Sequence, residues 1–159
     1  MSADLPVMTR LVHERWGGGP ALTGRGEAAL ERVARRHGWS VEPLPVSGVT
    51  SYTTAAWRDR FGGPLGWTLL TGHVAAVSTR EPEFGLPPTF HLTSNGPLHD
   101  ALSADGQLTL PDAGWLTGDL TPGELAALLT GPAGGGWEAY SVRYWRPRTR
   151  AEVLFNHWD

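Results

Sequence analysis

The chain of 159 residues has no cysteine, no lysine and no isoleucine, and only two asparagines, Asn95 and Asn156. Without cysteine, thiol redox chemistry, disulfides and any Cys-ligated zinc site are excluded. Without lysine, every fixed cation is a guanidinium, which stacks on aromatic rings and forks onto carboxylates more readily than an ammonium. Lysine, isoleucine and asparagine have AT-rich codons, so their scarcity points to a GC-rich bacterial genome. No apolar run approaches the ~20 residues that span a bilayer. Asp4 falls early and no apolar stretch follows a basic start, so no secretory signal is expected and a cytoplasmic setting is the default. The net charge is −3 with both signs interspersed, and only Arg143–Arg150 is locally basic. Broad nucleic-acid binding needs a basic face and is therefore disfavoured.

Glycine, proline, arginine and tryptophan are plentiful instead, with eight tryptophans. A chain of this length forms one ordinary domain, here 1–159, and buries about 68–70% of its unfolded surface without a metal or disulfide staple. Apolar spacing predicts a helix over 4–16 ended by Gly17-Gly18-Gly19-Pro20, and a stronger one over 23–37, where Leu22, Ala29, Leu30, Val33 and Ala34 share a stripe and Gly38 stands at the C-cap. Arg32, Arg35 and Arg36 fall on that helix's solvated side. Trp39–Val46 reads as a strand, and Pro43 and Pro45 place it at a sheet edge. A short helix is expected over Thr54–Phe61. Gly66–Thr79 suits a central strand, or two joined at Gly72, covered on both faces. Glu81–Pro88 reads as loop, Thr89–Thr93 and Gln107–Leu110 as short strands. Leu98–Ala104 suits a short helix or one arm of a hairpin, with the helix preferred. Thr121-Pro122-Gly123-Glu124 is a capping-box helix start.

The last 23 residues, Trp137–Asp159, hold six of the fifteen aromatics and four of the thirteen arginines. Two alternating runs, Trp137–Trp145 and Arg150–Trp158, predict a C-terminal β-hairpin about Arg146-Pro147-Arg148-Thr149. In that register Tyr140, Val142, Tyr144, Ala151, Val153 and Phe155 face the core. Arg143 pairs with Glu152, Trp145 with Arg150, and Glu138 with His157. The expected fold class is α+β: a mainly antiparallel sheet of about five to seven strands, two to four helices largely on one face, and this hairpin.

Two sites follow. The outer side of the hairpin presents Trp137, Arg143, Trp145, Arg150 and Trp158, and Trp and Arg are the usual anchors of interfaces. The leading expectation is a non-enzymatic binding or accessory protein that engages a protein or small-molecule partner there. The alternative is a small acid–base enzyme (lyase, cyclase or hydrolase) using His157 and Glu138 in a Trp-lined pocket, because a carboxylate beside an imidazole tunes it for proton transfer. His73 and His91, with His99, Asp100 or Glu83, make a formal two-His-one-carboxylate set. Their spacing gives it no support, and no metal or cofactor is expected.

Overall fold

The computed structural model describes residues 19–44, 52–83, 89–130, 144 and 146–155, the side chains of 19–24 and 130 excepted. The helix expected over 4–16 lies outside them. Helix α1 spans Gly19–His37, with Ala29, Leu30, Val33 and Ala34 buried along one stripe. It ends in a Schellman closure: Trp39 N donates to Ala34 O at 2.9 Å and Gly38 takes a φ of 68°.

Five antiparallel strands follow in the order β1-β2-β3-β4-β5: β1 Ser40–Pro43, β2 Thr53–Arg58, β3 Pro64–Thr71, β4 Val74–Ser78 and β5 Leu92–Thr93. β1 takes the edge that its proline requires. The apolar run 66–79 resolves into β3 and β4, which turn at Gly72 with a φ of 60°. β2 corrects an expectation, because Thr54–Phe61 is not helical. Ladders to β1 and β3 on either side outweigh the helix preference of Ala55-Ala56. The expected strand Gln107–Leu110 contributes a single parallel bridge, Thr109 to Val74.

The remaining elements are helical: α2 Pro97–Ser103, the single turn α3 Ala113–Leu116, α4 Pro122–Thr130 and α5 Arg150–Leu154. The domain is thus α+β, with a mainly antiparallel five-stranded sheet. Its helices do not gather on one face. Because strand side chains alternate, Trp57, Leu70, Ala75 and Val77 pack with α1 and α2 on one side. Leu69, Val74 and Ala76 pack with α3, α4 and α5 on the other.

The sheet's last hairpin is β4–β5, and the ribbon expected at the C-terminus does not form where it is described. Its second arm, Arg150–Trp158, is helical from Arg150 to Leu154. Thr149 caps that helix: its Oγ1 accepts from Glu152 N at 3.2 Å, while a Glu152 carboxylate oxygen accepts from Arg148 N at 2.6 Å. Ala151, Val153 and Phe155 are inside as the alternation required, but so are Arg150 and Leu154, and Tyr144, expected on the same core face, is 65% exposed. A short helix wedged between α3, α4 and the sheet buries side chains on several sides, which a strand with one face in solvent cannot do.

α1 approaches the sheet closely at Gly26, where an added Cβ would collide with the backbone carbonyl of Gly72. In an open helix, Gly→Ala gains about 1 kcal/mol. Here overpacking against backbone costs about 1–3 kcal/mol and should reverse the sign. Gly26→Ala is therefore expected to lower the urea midpoint. A raised midpoint would show that α1 does not lie this close to the β3–β4 turn.

Candidate functional site

Of the residues proposed from sequence, Trp137, Glu138, Arg143, Trp145, His157 and Trp158 lie outside the described residues. Arg150 is described, and it is not on an outer surface. It is 6% exposed at the start of α5 and grips Glu124 of α4, itself 0% exposed. Nε and Nη2 of Arg150 donate to Oε2 and Oε1 of Glu124, each at 2.9 Å. Nη1 donates to the carbonyl of Trp115 at 3.0 Å, and the guanidinium lies 4.8 Å from the Trp115 ring centroid. The cation–π contact imagined between Trp145 and Arg150 is thus supplied to Arg150 by Trp115.

Glu124 also completes the cap of its own helix, accepting from Thr121 N at 2.9 Å while its N donates to Thr121 Oγ1 at 3.1 Å. Burial alone would raise the Glu124 pKa. The hydrogen bonds from Arg150 and Thr121 outweigh it and hold the carboxyl below its usual range. The Arg150 guanidinium and the Glu124 carboxylate are therefore engaged by protein partners, and their role is to fasten α5 to α3 and α4. The ladder that would have set Glu138 beside His157 is absent at its described end, where Arg150–Leu154 bonds within its own helix.

His73 sits in the β3–β4 turn, and His91 precedes β5 opposite the far end of β4. Five residues of strand separate those ends, roughly 16 Å. They do not converge, and no group of three or more metal-ligating side chains occurs among the described residues.

An exposed aromatic stands instead at the tip of the β2–β3 hairpin, where the sequence pattern suggests the end of a helix. Phe61 is 84% exposed. The turn beneath it is locked by its own backbone. Asp59 N donates to Gly63 O at 2.8 Å and Gly62 N to Asp59 O at 3.0 Å, with Gly62 at a φ of 83°. Oδ1 of Asp59 accepts from Phe61 N at 2.8 Å and Gly63 N at 2.9 Å.

Both arginines beside Phe61 are exposed and tied down. Arg58 Nη1 donates to Gly62 O at 3.1 Å, and the Arg60 guanidinium lies 5.0 Å from the Phe61 ring centroid. The one acid of the tip is turned onto backbone donors, so its outward charge is cationic. The signal for this turn was present: an Asp followed by Gly62-Gly63 is ordinary turn chemistry.

Comparison with protein families, with curated proteins and with solved structures gives no match. The class defined by fold and site is an α+β domain whose sheet carries a rigid aromatic–arginine hairpin tip. No described helix is long and apolar enough to cross a membrane.

Proposed function

We propose that this chain is a non-enzymatic binding protein of the bacterial cytoplasm that docks an acidic protein partner on the tip of its β2–β3 hairpin. The observation that carries this reading is Phe61, 84% exposed on a turn whose geometry is fixed before any partner arrives. Burying a phenylalanine side chain is worth roughly 1.5–3 kcal/mol, and a preformed turn loses little entropy on binding. Aromatic and arginine side chains are the residue types that anchor interfaces, and Arg58 and Arg60 favour carboxylates opposite. The binding role expected for the C-terminal ribbon thus moves to a different hairpin. The acid–base alternative on His157 and Glu138 gains no support, since neither lies among the described residues.

Phe61→Ala is expected to change stability by no more than about 0.5 kcal/mol, as surface substitutions do, while abolishing recovery of the partner from the source bacterium's extract. Arg60→Glu should do the same by reversing the tip's charge. The reading fails if both variants recover the same partner as the parent chain.

A further inference from the structure

Helix α1 carries Arg25, Arg32 and Arg36. Steps of seven and four residues return a helix of 3.6 residues per turn to nearly the same side. The three arginines line one cleft of about 420 Å³, closed opposite by the turn that follows α2, Ala104–Gln107. The cleft exists because its middle is small: Ala28 lies between Arg25 and Arg32, and Gly106 has open space where a Cβ would stand.

A single carboxylate faces the three guanidiniums, and it is already engaged. Asp105 is 4% exposed and receives Nε and Nη2 of Arg32, each at 2.9 Å. It also accepts from Gln107 N at 2.9 Å. Hydrogen bonding from Arg32 outweighs burial and holds the Asp105 carboxyl below its usual range. The side-on fork leaves Nη1 of Arg32 for another acceptor. Among the described residues Arg25 and Arg36 form no ion pair. Two guanidiniums without an ion pair among the described residues, Arg36 within electrostatic reach of Asp105, thus border one concavity in a chain whose net charge is −3.

We propose that this cleft binds a small ligand carrying two or more anionic groups, phosphate or carboxylate. Its volume falls within the roughly 300–1,000 Å³ of small-molecule sites. Guanidiniums suit such groups because their fork matches both oxyanion geometries. More than one anionic group is needed because Arg25 and Arg32 rise from α1 about 10 Å apart along its axis. A monoanion reaches one end of the cleft, whereas a multivalent ligand spans both. The site is separate from the hairpin tip and stands whether or not Phe61 docks a partner.

Calorimetric titration at fixed ionic strength with tripolyphosphate, citrate and inorganic phosphate tests the site. Saturable binding of tripolyphosphate, citrate or both, at least tenfold tighter than inorganic phosphate, is expected. Response to tripolyphosphate alone identifies a phosphate-bearing ligand, and response to citrate alone a polycarboxylate. The double variant Arg25→Gln/Arg36→Gln should lose at least tenfold in affinity with its Tm in ligand-free buffer unchanged. Phe61→Ala should bind as the parent does. Absence of saturable binding to both polyanions, inorganic phosphate binding as tightly as they do, or binding undiminished in the double variant would overturn the proposal.

Discussion

Replacing Arg150 with alanine should destabilise the chain by about 3–5 kcal/mol, the cost of stranding one member of a buried ion pair. Glu124 would be left 0% exposed without its bidentate partner, and the Trp115 carbonyl would lose a donor. Urea is the denaturant to use, since guanidinium chloride screens the pair under study. The same contact predicts an acid response. The folded Glu124 pKa lies below its unfolded value, so the pair's contribution is complete above the unfolded value. It is lost as pH falls through the folded one. Arg150→Ala should flatten that part of the pH profile. The double variant Glu124→Leu/Arg150→Met, which removes both charges and keeps the volume, should recover most of the loss, because apolar replacement of a buried pair is often neutral. A loss under about 1 kcal/mol for Arg150→Ala would mean an exposed rather than buried pair.

The second large effect belongs to Phe155. It closes α5 through its N–H to Ala151 O at 2.8 Å and is 0% exposed. Its ring meets Tyr52 edge to face, with centroids 5.9 Å apart and planes at 85°. Phe155→Ala should cost about 3–5 kcal/mol through lost transfer energy and the cavity left behind. Tyr52 gives an independent readout. Burial pushes its phenol up to about 12 from 10.0, so stability should decline as pH rises between those values. Opening the space beside it should admit water and bring the Tyr52 titration back toward 10.0. An unchanged Tyr52 titration with unchanged stability would show that Phe155 does not fill this core.

What could be read from the chain was what local chemistry decides. Pro43 marked β1 as an edge strand, Gly72 divided β3 from β4, and Thr121 with Glu124 marked the start of α4. What could not be read depended on contacts distant in sequence. β2 carries two alanines and looks helical until β1 and β3 flank it. Phe61 is hidden for the same reason, since local sequence makes it resemble a residue of the last helical turn. At the C-terminus the pattern was ambiguous rather than silent. Ala151, Val153 and Phe155 suit either a strand facing a core or a short helix buried on several sides, and periodicity over five residues does not separate the two. Thr149-x-x-Glu152 was the local arbiter, being the same cap signal that marked α4. That Arg150 would turn inward onto Glu124 was beyond local reading, because the two stand 26 residues apart in the chain.

The proposed function rests on a partner meeting Phe61, and site-directed photo-crosslinking in the source cells tests this most directly. A benzophenone side chain is placed at position 61 in one variant and at Thr53, exposed at the other end of β2, in a second. The account predicts a discrete cross-linked protein from position 61, none from position 53, and its disappearance when Arg60→Glu is added. No adduct at position 61, or the same adducts from both positions, would contradict it.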